Sequence, residues 1–267
     1  MGRHGFWERC SGREAGHPSN ERDAIQIATF SFCAKQSEDV AYSARGRAVK
    51  IPFSVYDFFA YLATGFVVLV AVDFALDLGW TAKEKLPPGM VVFVTIGAYV
   101  LGHIVANLSS YFLEHQFLRG VLRSPEETLF GAERRTPWRR LFPIFYKPFP
   151  EETQRRILEK AKAAGIEKPG RGLFFHCHAL VKRDQATLER LNTFLNLYGF
   201  CRNVCAASLI AAAILLFAAF AYPDRASHTQ KLAWAIVAVG ASIGLFYRYL
   251  KFFKHYTEEV YRSYAEL

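Results

Sequence analysis

The sequence predicts an all-α membrane protein with four transmembrane helices. A mainly helical cytoplasmic domain is inserted between the second and third, and spans 3 and 4 extend into the cytoplasm. Three observations predict this. Apolar residues make up 52% of the 267 residues while 21% are charged, so the two kinds must be segregated along the chain. Four apolar runs, Phe58 to Trp80, Met90 to Phe112, Val204 to Tyr222 and Leu232 to Leu250, have the length that a hydrocarbon layer of roughly 30 Å requires. Any one could be a buried core helix, but four in so short a chain leave too little soluble protein to cover them. The third observation is the placement of Lys and Arg, described below.

Residues 1–48 are rich in Gly, Ser and charge and lack periodicity, which reads as a disordered or mis-annotated extension. Val49 precedes KIPFSVYDFF, and a GTG codon read as valine in an over-extended gene would place the native start there. Residues 49–118 hold spans 1 and 2. The short connectors Thr81 to Gly89 and Pro223 to Lys231 carry only Lys83, Lys85, Arg225 and Lys231, whereas the segment after span 2 is crowded with arginines. Basic residues resist translocation, so both termini and the long segment are expected on the cytoplasmic side. Much of the net charge of +9 follows from that rule alone. Cys10, Cys33, Cys177, Cys201 and Cys205 fall on or beside that side, where thiols stay reduced and no disulfide framework is expected.

The basic domain is expected over 119–202. Between Arg119 and Pro150 it contains ERRTPWRRLFPIFYKPFP, whose prolines forbid a long helix. Trp138, Phe142, Phe145, Tyr146 and Phe149, interleaved with arginines, match the chemistry of a bilayer surface. The same mixture could stack on and neutralise a nucleotide. EETQRRILEKAKAAG follows with acids first and Gly165 last, a helix signature, and GLFFHCHALV reads as a short buried strand or the start of a helix. From about Asp184 a long helix runs towards span 3, with Leu188, Leu191, Leu195 and Tyr198 on one stripe. Spans 3 and 4 occupy 203–250, and the tail 251–267 continues span 4 with a stripe through Phe246, Leu250, Phe253, Thr257, Val260 and Tyr264. Lys251, Lys254, Glu258, Glu259 and Arg262 are expected on its other faces. These two extensions should be antiparallel neighbours, forming either an intrachain hairpin or a stalk shared between subunits.

Polar residues within spans are costly and default to functional candidates. Asp73 and Asp77 lie one turn apart near the outer end of span 1, and His103 and Asn107 share a face of span 2 that Ser110, Glu114 and His115 continue. Asp73, Asp77, His103, Asn107 and Ser110 are the pore-lining candidates, although His103 and Asn107 could equally hydrogen-bond between helices. Gly240 and Gly244 form a GxxxG spacing that permits close helix packing. His176, Cys177 and His178, with Cys201 and Cys205, are metal-ligating types at spacings that do not converge on one tetrahedral centre, so no metal or other cofactor is expected. Walker, GxSxG and HExxH motifs are missing, and no enzymatic activity is expected.

YDFFAYLATGF and GAYVLGHIVANLSSYFLE resemble motifs of bacterial four-span proteins, some encoded beside antiphage nucleotidyltransferases. The topology and basic domain are similar to the membrane effectors of antiphage defence, such as the Hailong channel or the effectors of cyclic-oligonucleotide systems. The resemblance is confined to the first two spans and carries over no ligand-binding residue. It implies a multi-pass protein of the bacterial inner membrane that forms a homo-oligomer, for example a tetramer, and conducts ions when its cytoplasmic domain binds a ligand. An oligonucleotide or cyclic nucleotide is the ligand class to expect, with Arg134, Arg135, Arg139 and Arg140 as basic candidates. Two further readings stand beside it: a non-conducting adaptor anchoring a cytoplasmic partner protein, and a small membrane enzyme acting on lipid.

Overall fold

The computed structural model describes residues 55–83, 86–131, 137–223 and 227–267. The expected extension over 1–48 and the basic candidates Arg134 and Arg135 lie outside them. The described residues form helices and connecting turns with no strand. Four helices are long and apolar enough to cross a membrane, as expected of a multi-pass membrane protein.

Helix α1, Val55–Leu76, stops short of the Trp80 limit read from its apolar run. Asp77 and Gly79 adopt positive φ, 54° and 67°, and reverse the chain. The Asp73 carboxylate fixes this reversal by accepting from the backbone N–H groups of Trp80 and Thr81, at 3.1 and 3.2 Å, and from the Thr81 hydroxyl. Helix α2, Pro88–Ser109, starts on a proline, whose missing N–H costs nothing at a first helical position. It runs on into Ser110–Leu122, wound as a π-helix. Helices α1 and α2 meet backbone to backbone, because a Cβ on Gly65 would overlap the Ala98 carbonyl and one on Gly102 the Tyr61 carbonyl.

Beyond Arg123 come two single-turn helices, α3 (Pro125–Thr128) and α4 (Trp138–Leu141), in keeping with the prolines. Helix α5, Glu151–Ala163, carries Glu151 and Glu152 in its first turn and yields to Gly165 at φ 81°. GLFFHCHALV lies within helix α6, Arg171–Val181, which resolves the strand-or-helix ambiguity in favour of helix.

Helices α7, Gln185–Ala221, and α8, His228–Glu266, have 37 and 39 residues, hence lengths of about 55 Å and 58 Å at 1.5 Å per residue. That is nearly twice a hydrocarbon core. The Asp184 carboxylate caps α7 by accepting from the Thr187 N–H at 2.9 Å and the Thr187 hydroxyl at 2.5 Å. The two helices run antiparallel along their whole length. Arg190 pairs with Glu259 at 2.8 Å, Tyr198 stacks on Tyr249 with centroids 5.0 Å apart, and Cys205 Sγ lies 3.3 Å from Ser242 Oγ. This is the intrachain hairpin. Small residues seat α1 against it, with Ala71 and Ala75 packed on Ala211, Leu215, Ala218 and Ala235.

The C-terminal part of α8 forms the centre of the domain core. Leu173, Phe174, Cys177, Val181 and Leu191 from α6 and α7 close on Val260, Tyr261 and Tyr264. The expected stripes hold at Leu191, Tyr198, Leu250, Thr257, Val260 and Tyr264, all buried. Lys254 departs from the expectation, since it too is buried. Its ammonium donates to the carbonyls of Ile144 and Lys147 at 2.6 and 2.7 Å and lies 3.5 Å from Glu258. A long aliphatic stem with three donors can satisfy that position where a smaller polar residue could not.

Candidate functional site

At the end of the bundle that meets the domain, the π-helical segment and α7 share a buried polar junction. Arg202 Nη1 donates to Glu114 Oε2 at 2.7 Å, with side chains only 15% and 11% exposed. Arg202 Nε donates to Asn203 Oδ1 at 3.2 Å. The Ser109 hydroxyl lies 2.8 Å from both Asn203 Oδ1 and the Ala106 carbonyl, sharing its one proton between them. The Arg202 guanidinium also sits 5.6 Å from the centroid of the Tyr198 ring, which stacks on Tyr249 of α8. Both partners of a buried pair must be present, because either alone would be a desolvated charge. The junction thus locks the end of α2 to α7, and through aromatic stacking to α8.

At the opposite end, where the short connectors lie, Lys231 Nζ donates to Asp77 Oδ2 at 2.8 Å. Lys231 is 1% exposed and Asp77 39%. The Ser227 hydroxyl donates to the other Asp77 oxygen at 2.9 Å. Asp77 therefore staples the first connector to the start of α8, while Asp73 holds the reversal after α1.

The five pore-lining candidates are not brought together within one chain. Asp73, in the last turn of α1, is buried with its carboxylate accepting from its own connector, and Asp77 is ion-paired. His103 is half-buried, stacked on Tyr61 at 4.0 Å with Tyr99 edge-on at 4.6 Å. Asn107 is exposed on the outer face of α2, and Ser110 is half-buried where the π-helix starts. Arg139 and Arg140 are exposed on the single turn of α4. Arg202 and Asn203 were missed because both stand at the mouth of span 3, where a charge needs no partner. Only the fold brings them to Glu114.

Among the described residues no three His, Cys, Asp or Glu side chains gather in a way that could hold a metal ion. His176, Cys177 and His178 diverge around α6. The Cys177 thiol points into the core, where burial pushes it up to about 12, so it stays protonated and a poor ligand. His178, near Phe174 and Tyr256, is held below the ordinary histidine value by burial first and by Lys182 second. No protein family, curated protein or solved structure matches this chain.

Proposed function

We propose that this protein is an oligomeric, ion-conducting membrane effector of bacterial antiphage defence, gated through the domain between its second and third spans. In this reading that domain and both termini face the cytoplasm of the bacterial cell, which the clustering of arginines after span 2 supports. One observation carries the reading: α7 and α8 continue without a break from the apolar bundle into the domain core. A ligand that shifts the domain must therefore shift the membrane helices. The Glu114–Arg202 junction couples α2 to the same movement.

Because Asp73 and Asp77 are committed to connector contacts, the pore belongs between copies of the chain. Asn107, on the outward face of α2 among Ile104 and Leu108, is the side chain that would meet the neighbouring copies. Purified protein in liposomes should be an oligomer by mass and should pass ions when short oligodeoxynucleotides or cyclic nucleotides are added, with Asn107→Leu lowering the flux. A single chain per micelle, with no flux under any of these conditions, sinks the channel. The second reading, a non-conducting adaptor, is favoured by the absence of a polar track among the described residues of one chain. It predicts flux-silent liposomes together with a stable cytoplasmic complex.

A further inference from the structure

The strap 137–148 is held to its own protein by backbone carbonyls and by its aromatic side chains, with Phe145 buried and the Tyr146 hydroxyl donating to the Leu122 carbonyl at 2.7 Å, while its basic and aliphatic side chains face outward. Leu141 O accepts from the Tyr247 hydroxyl at 3.2 Å, and Ile144 O and Lys147 O accept from Lys254. Trp138 packs edge-on against Phe117, and Phe142 against Phe246. What remains on the surface is Arg139, Arg140 and Lys147, with Leu141 54% and Ile144 69% exposed. A depression of about 380 Å³ lies among Arg139, Pro143, Ile144, Tyr146, Lys147 and Pro148. No acidic residue occurs from 137 to 150. Tyr247 belongs to the apolar part of α8, beside exposed Ile243, so the apolar surface of the span continues onto the strap.

We infer that residues 137–148 are an in-plane anchor for anionic phospholipid: Leu141 and Ile144 enter the acyl boundary and Arg140, Lys147 and Arg139 take headgroup phosphates. Exposed aliphatic side chains continuous with a membrane span are covered at no cost only by the bilayer itself. Cations at the rim of a cleft of this size meet phosphate there, and a basic cluster at headgroup level is drawn to an anionic surface. The clamp by Lys254 makes the anchor part of α8, so the strap reports lipid composition to the same helix that crosses the membrane. This inference rests on the reading of the chain as membrane-spanning with the domain on one side, and does not require that it conduct.

The test uses the full chain in nanodiscs, with Cys10 and Cys33 replaced by serine and an environment-sensitive dye on Ile144→Cys. Discs of phosphatidylcholine alone are compared with discs that also contain phosphatidylglycerol, each with nitroxide-bearing lipid as quencher. Quenching should be several-fold stronger in the anionic discs. Arg140→Glu and Lys147→Glu should each abolish that preference, because each exchanges an attracted charge for a repelled one, with the thermal midpoint unchanged because both side chains are exposed. A dye that stays in water in both discs overturns the anchor, as does a lipid preference that both charge reversals leave intact. Release of the dye by a short oligodeoxynucleotide or by inorganic phosphate also overturns it, and reassigns the cations to a soluble ligand. Liposome flux is scored separately: lipid-dependent quenching without flux rejects the channel and keeps the anchor, and flux without quenching does the reverse.

Discussion

Among the described residues an ion pair stands at each end of the helical bundle, and the two are built differently. Glu114 and Arg202 are both nearly buried and share a hydrogen-bonded network with Asn203 and Ser109. At the other end Lys231 is buried while Asp77 is well exposed, with Ser227 as a further partner. An exposed partner can be replaced by water, and a buried one cannot. The first pair therefore acts as a joint that must stay closed or open as a unit, and the second as a staple that trims a connector.

Arg202→Met should produce the largest loss, about 3–5 kcal/mol, because it leaves Glu114 buried and unpaired. Thermal unfolding in detergent would read it, and the double variant Glu114→Met with Arg202→Met should recover most of the loss. If the double is no better than the single, the joint is not a coupled pair and the contrast between the ends collapses. Gly102→Ala comes next at about 1–3 kcal/mol, since the new methyl must displace the Tyr61 carbonyl and overpacked contacts cost that much. It tests whether the α1–α2 crossing is a fixed point independent of either ion pair, which additivity with Arg202→Met would establish. Lys231→Met, which leaves the exposed Asp77 carboxylate to water, should cost only about 1 kcal/mol by the same measurement, the scale of a pair with one exposed member. A loss as large as that of Arg202→Met would make the two ends equivalent.

The smallest effect is on pH. His178 has its folded-state value depressed, chiefly by burial, so below the ordinary histidine value of about 6.5 the unfolded chain binds the proton more readily than the folded one. Stability attributable to His178 is complete above that value and is lost as pH falls through the depressed one. Unfolding midpoints should therefore decline between neutral pH and pH about 5, and His178→Phe should flatten the decline. An unchanged slope in the variant removes His178 as its source.

Much of the architecture was legible because it rests on local signals. The apolar runs marked four helices, and the stripe from Phe246 to Tyr264 carried α8 past the end of its apolar run, as the continuous helix to Glu266 bears out, since a heptad-like spacing needs no knowledge of the partner. What escaped was pairing over long separations. Glu114 and Arg202 are 88 residues apart and Asp77 and Lys231 are 154 apart, and nothing in the periodicity of either segment selects its partner. The sequence places Lys254 off the apolar stripe but does not reveal its burial, since its ammonium finds carbonyls on a strap more than 100 residues upstream. Asp73 and Asp77 are read from the sequence as acids near the outer end of span 1, and Asp73 does stand in the last turn of α1 with Asp77 just beyond it; the contacts each makes with its connectors are what the spacing does not reveal.

The placement of Val260, Tyr261 and Tyr264 at the centre of the domain has a consequence for biosynthesis. These side chains leave the ribosome after the fourth span, whereas Ile157, Leu173 and Phe174, which they must cover, have emerged roughly a hundred residues earlier. The domain cannot close its core while the chain is still being inserted. Its exposed aromatic surface has to wait, tethered at the membrane, until the hairpin is delivered.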